Sequence, residues 1–203
     1  MPSLPTLDDF NRANGAPGAN WGAAISTYSL PNIVGNALDF PQFPSAYWAA
    51  TTFPANQGSQ IQVVPPAEGA YLILRLTNPN TGSESCYSVY GSYAGSFPAE
   101  AWKMTAGIPT MTSLGFANGI MQATDKWLQA TAVGTTISLY GGSDGSTWNL
   151  RQTWTDSAVS SSGYIGVWMS NNVWPGTVDN FGGGSLAVEK QSFYVSRRRT
   201  VGR

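Results

Sequence analysis

An all-β fold of antiparallel strands in two packed sheets is predicted by three observations. Short runs rich in Val, Ile, Thr, Tyr, Trp and Phe recur between clusters of Gly, Pro, Asn and Ser, and no long segment repeats its apolar residues at helical spacing. Hydrophobic residues make up 42% of the chain and charged residues only 10%, against the roughly 25% usual in soluble proteins. The core is therefore ample, and the surface must be built from Ser, Thr, Asn, Gln and Gly. The third observation is that the two ends carry matching signals, DDFNRANGAPGANW at 8–21 and VDNFGGG at 178–184. Asp9-Phe10 and Asp179-Asn180-Phe181 read as counterparts, each an inward Phe beside turn residues, so the two ends are expected side by side in one sheet.

The 203 residues suit one large sandwich or jelly roll. Strands are expected at 23–30, 36–40, 46–53, 59–64, 70–77, 85–91, 100–105, 127–133, 135–140, 147–154, 163–170 and 177–188, with 109–121 as a further candidate. A dozen strands at this spacing pack as two sheets face to face. Val133-Gly134-Thr135 reads as a tight hairpin turn, and the Gly141 to Ser146 cluster links the next two strands into a meander. Alternation along 70–77 assigns Leu72, Leu74 and Leu76 to the core and Tyr71, Ile73 and Arg75 to the opposite face. Along 163–170 it assigns Ile165, Val167 and Met169 to the core, leaving Tyr164 and Trp168 opposite. Alternation is lost after Val188, so 1–188 is read as the domain and 189–203 as a basic arm.

The composition excludes several chemistries. Cys86 is the only cysteine, so no intramolecular disulfide forms. His is absent, which removes the commonest zinc ligand, the usual general base and the Ser-His-Asp triad together. MPSLPTLDD lacks the pattern of a secretory signal, and AYLILRL at 70–76 is too short to span a bilayer, so a soluble protein made in the cytoplasm is expected. The net charge of −1 conceals an asymmetry: Arg197, Arg198, Arg199 and Arg203 hold four of the ten basic residues. Such an arm can anchor to an acidic partner or remain a solvated end. The acidic body speaks against nucleic-acid binding.

Taken together, DDFNRANGAPGANW, AYLILRLTN with its embedded Arg75, TDSAVSSSGYIGVW at 155–168 and VDNFGGG resemble the concanavalin A-like lectin/glucanase superfamily, specifically the laminin-G-like jelly-roll domains of bacteriophage minor tail and other virion proteins. The resemblance covers roughly residues 7–188 and implies a two-sheet antiparallel jelly roll, one sheet concave and the other convex. The fold hosts sugar binders, hydrolases and structural modules, so residues must choose among them.

Glycoside hydrolysis needs two carboxylates facing one bond. The hydrolases of this fold carry them as Glu-x-Asp-x-x-Glu, and no such segment occurs, with Glu68, Glu84, Glu100 and Glu189 scattered. The expectation is a protein without catalytic residues. Asp9 and Asp179 are read as structural acceptors at strand ends. Calcium, which related domains hold through oxygen ligands, has weak candidates in Asp144 and Asp179. Sugar binding needs aromatic faces and a few polar groups. Tyr71, Arg75, Tyr164 and Trp168 would line one such face, with Trp174 on the following loop. The alternative for the same rings is packing under a loop or against a neighbouring subunit. The combined expectation is a noncatalytic virion subunit, a minor tail or decoration protein present in several copies or as a homo-oligomer. It would touch other virion proteins and host surface glycans; a stand-alone carbohydrate-binding module is the alternative.

Overall fold

The computed structural model describes residues 4–40, 44–65, 69–92, 98–169 and 176–187. Their strands are, in chain order, β1 Thr6–Asp8, β2 Trp21–Ala23, β3 Asn32–Val34, β4 Ala37–Phe40, β5 Ser45–Trp48, β6 Gln57–Val64, β7 Gly69–Thr77, β8 Ser85–Ser92, β9 Ala99–Met104, β10 Thr112–Ala117, β11 Trp127–Val133, β12 Thr136–Gly142, β13 Asn149–Thr155, β14 Tyr164–Trp168 and β15 Gly176–Ser185. The one helical element among them is a 3-10 turn at Ile108–Thr110, and no helix there is long and apolar enough to cross a membrane.

All pairings are antiparallel. Sheet A runs β13-β12-β11-β6-β15-β4-β3 with β1 beside β15, and sheet B runs β10-β9-β8-β7-β14-β5-β2. The core between them takes Ile61, Leu128, Leu139 and Val178 from sheet A and Leu72, Val89, Ala101 and Val167 from sheet B. Each Ile, Leu or Val among these contributes about 1.5–3 kcal/mol when fully buried. Arg197, Arg198, Arg199 and Arg203 of the arm, and Trp174, lie outside the described residues.

The ends close as expected. Thr6 pairs with Gly182 and Asp8 with Phe181, and Phe10 and Phe181 are both fully buried. Trp21 lies between them, its ring 5.5 Å from Phe10 and 4.8 Å from Phe181. Asp8 organises the first motif: it takes a two-pronged grip from Arg12 (2.7 and 2.8 Å) and accepts hydrogen bonds from Trp21 Nε1 and the Phe10 N–H. In VDNFGGG, Gly182 and Gly183 serve close approach. A Cβ at Gly183 would sit 1.9 Å from Ile165 Cδ1 and 3.0 Å from the Gly58 carbonyl.

The structure corrects the strand reading in three places. β1 and β3, three residues each, lie outside the expected runs. Of 23–30 only Ala23 pairs in a strand, because distant side chains take the N–H groups that a ladder would use: Ile25 N–H donates to Ser45 Oγ (3.0 Å) and Ser26 N–H to Glu84 Oε1 (2.8 Å). The third correction is at Arg75, whose φ of 55° marks a bulge. The register of β7 shifts there against both β8 and β14. Leu76 is thereby turned out of the main core onto the outer side of sheet B, and Arg75 leaves the face of Tyr71.

Candidate functional site

Arg75, expected on the aromatic face, is 1% exposed. Its guanidinium donates Nε to the Ala55 carbonyl, Nη1 to Val159 and Nη2 to Gly134, each at 2.7 Å, and lies 5.8 Å above the Tyr87 ring. Three loops at one end of the sandwich are tied together by one planar fork. A sugar cannot reach it. Tyr87 continues this network: its hydroxyl donates to Asp156 Oδ1 (2.8 Å), accepts from the Val159 N–H, and shares Asp156 with Lys103 Nζ (2.8 Å). Burial, foremost, pushes the Tyr87 phenol up to about 12.

The remaining described candidates share the outer face of sheet B. Antiparallel partners point to the same side, so register builds a row across the sheet: Phe116 opposite Glu100, Glu100 opposite Tyr90, Tyr90 opposite Tyr71, Tyr71 opposite Trp168, and Trp168 opposite Ser45. A second row runs Ser113, Trp102, Ser88, Ile73, Gly166 and Tyr47. The rings touch along the first row, Tyr90 to Tyr71 at 4.6 Å and Tyr71 to Trp168 at 4.5 Å between centroids. Tyr71 Oη donates to Glu100 Oε1, and Trp168 Nε1 donates to Ser88 Oγ. Tyr164 packs edge-on to Tyr47 at 4.8 Å. A narrow crevice beside Trp168 is lined by Ile25, Ser88, Trp102, Met104 and Met111.

Part of this face is roofed. Tyr28, on the loop after β2, stacks on Trp168 at 5.7 Å, leaving Trp168 5% and Tyr71 7% exposed. Packing under a loop, the alternative weighed for these rings, therefore describes both. The loop is pinned by Glu84, a fully buried carboxylate whose Oε1 accepts the N–H groups of Ser26, Thr81 and Gly82. Burial alone would raise its pKa, but hydrogen bonds from its own backbone N–H and from Gly82 and Ser26 outweigh it and hold the group below its ordinary value. The accessible rings are others: Tyr90, Trp102, Tyr47 and Tyr164 are half-buried and Phe116 is 66% exposed. The alternation of 85–91 and 100–105 carries the signal for Tyr90 and Trp102, but it becomes a site only once β8 and β9 are known to be neighbours.

The weak calcium candidates lie apart, Asp144 in a turn and Asp179 within β15. Asp144 accepts the N–H groups of Ser146 and Thr147, closing the β12–β13 turn. Asp179 accepts the Asn180 N–H at 2.7 Å, and burial together with the charges of Asp9 and Asp8 raises its pKa. Among the described residues no three or more Asp, Glu, His or Cys side chains gather in a group that could hold a metal ion.

No protein-family model matches the chain, and no curated protein matches it in sequence. Solved structures resemble it in shape. The carbohydrate-binding module CBM66 from Bacillus subtilis is 14% identical with a TM-score of 0.55, over 85% of this chain and 100% of the module. The exoplasmic/lumenal domain of VIP36 in its Ca2+/Man-bound form is 9% identical with a TM-score of 0.57, over 86% of each chain. A xylan β-1,4-xylosidase from Bacillus halodurans C-125 is 13% identical with a TM-score of 0.55, over 91% of this chain and 40% of the enzyme. With the two antiparallel sheets and the paired end strands, these likenesses assign the chain a concanavalin A-like two-sheet jelly-roll fold.

Proposed function

We propose that this protein is a noncatalytic glycan-binding sandwich that binds through the outer face of sheet B. The observation that carries the reading is the set of half-buried rings, Tyr90, Trp102, Tyr47 and Tyr164, beside the solvent-reaching carboxylate of Glu100 on one sheet face. Rings stack on the apolar side of a pyranose while hydroxyl and carboxylate oxygens take its hydroxyl groups. The absence of catalysis is supported by the carboxylates: among the described residues the face presents one that reaches solvent, Glu100, already engaged by Tyr71, whereas hydrolysis asks for a facing pair. Calcium is not required by this mechanism.

A glycan array with purified protein tests the reading. A neutral glycan should be retained, and Trp102→Ala should weaken it about tenfold, the loss of one stacked ring, without moving the melting temperature by more than a few degrees. Absence of binding above background at high protein concentration would leave only a structural role.

The module is further proposed to serve as an outward-facing bacteriophage virion subunit, a minor tail or decoration protein in several copies. Its low charge, 10% of residues, and its resemblance in motif order to such domains support this. Arg197, Arg198, Arg199 and Arg203 would anchor it to neighbouring virion proteins. The second reading, a stand-alone carbohydrate-binding module, is favoured by size, since the chain spans the whole of one such module. Co-sedimentation with assembled particles separates the two.

A further inference from the structure

The aromatic row is closed at one end and open at the other. At the β5 side the loop after β2 forms a wall: Tyr28 stacks on Trp168, and Ile25 N–H donates to the buried Ser45 Oγ, the last position of the row. The wall is firmly held, by Glu84 through the Ser26 N–H and by the Asn80 N–H on the Ala24 carbonyl. At the other side the row runs out over β10, an edge strand, where Phe116 faces solvent. Exposure climbs along it from 5% at Trp168 to 66% at Phe116. Four strand spacings separate these two, about 19 Å, too long for a single pyranose and long enough for several linked ones. The described residues of both rows carry one charge, Glu100, and Lys103, which borders the crevice, is paired with Asp156, so an anionic chain would meet a like charge on the rows.

We propose that the ligand is the end of an uncharged linear glycan, its terminal unit resting against the Tyr28 wall on the accessible face of Trp102, its following units passing Tyr90 and leaving across the β10 edge over Phe116. This rests on the glycan-binding reading and adds chain-end specificity and an outer stacking subsite at Phe116. A ring laid on Phe116 belongs to a unit several positions from the terminus, so this residue acts only on longer chains.

The test uses the full chain and the neutral glycan the array returns, prepared as a ladder of one to six units with either terminus free or capped by a bulky fluorophore. Affinity should rise along the ladder. Capping one terminus should abolish binding and capping the other should leave it unchanged, and Phe116→Ala should weaken the hexasaccharide about tenfold while sparing the disaccharide. Equal tolerance of both caps, or unchanged hexasaccharide affinity in Phe116→Ala while Trp102→Ala loses it, would overturn this inference and leave the glycan-binding reading standing. No binding to any member would remove both. A Phe116→Ala protein that changes sedimentation coefficient but not affinity would place Phe116 in a contact between copies of this chain instead.

Discussion

Replacing Arg75 by Met tests the least expected feature of the fold, a fully buried guanidinium held by no carboxylate among its described partners. Its three hydrogen bonds, to Ala55, Gly134 and Val159 at 2.7 Å, are charge-assisted, and each is worth about 1.5–3 kcal/mol in context. Their sum overstates the loss, because Met also removes the cost of burying a cation and the Gly134 turn is exposed enough to rehydrate. The Val159 carbonyl is left buried without this donor. A net loss of about 3–5 kcal/mol follows from the carbonyls left without a donor. For a chain of this size each kcal/mol lowers the melting temperature by about 2–4 °C, giving a fall of about 6–20 °C by calorimetry or circular dichroism. Arg75→Lys keeps the charge but has no planar fork, so it should recover less than half of the loss. Limited proteolysis should show new cleavage in 52–56 and 157–162, the loops the guanidinium holds. A Met variant melting within 1 °C of the parent, or a Lys variant equal to it, would refute the reasoning.

The titratable groups give the next predictions. Asp179 has a raised pKa in the folded state, so folding is favoured below its unfolded value and that advantage is lost as pH rises; Asp179→Asn should therefore add about 0.5 kcal/mol at neutral pH and nothing below about pH 4, read from urea melts at the two pH values. Glu84 is shifted the other way: its contribution is present above the unfolded carboxylate pKa and lost as pH falls through the folded value. Glu84→Gln should cost about 2 kcal/mol at pH 7, with the difference from the parent shrinking in acid. Cys86 is fully buried and pushed up to about 12, chiefly by burial and then by the Glu84 charge, so a thiol reagent at pH 8 should label it only after denaturant is added. Deleting 197–203 should leave the melting temperature unchanged and lower occupancy in assembled virions, read by quantitative immunoblot of purified particles; undiminished occupancy would remove the anchoring role.

The strands that alternation located are those whose backbone donors go to neighbouring strands, such as β6, β8, β11 and β12. Period-two patterning also placed Tyr71, Tyr164 and Trp168 on one side. It failed where side chains far away in sequence capture the backbone. Glu84 draws the Ser26 N–H out of a would-be strand from 58 positions away, and Arg75 bulges its strand to reach carbonyls 20, 59 and 84 positions distant. No local pattern encodes such partners. Phe116 was missed for a related reason: the shift between Ser113 and Gly115 decides which face it occupies, and that shift depends on pairing with β9.

The place of β15 between β6 and β4 has a consequence for biosynthesis. Its residues, 176–185, are translated long after both neighbours. Until they leave the ribosome, the hydrogen-bonding rims of Gln57–Val64 and Ala37–Phe40 lack the segment that joins them, and bare rims recruit foreign chains. A nascent polypeptide stalled before Gly176 should consequently engage chaperones or aggregate, whereas one extruded past Ser185 should acquire protease resistance in a single step.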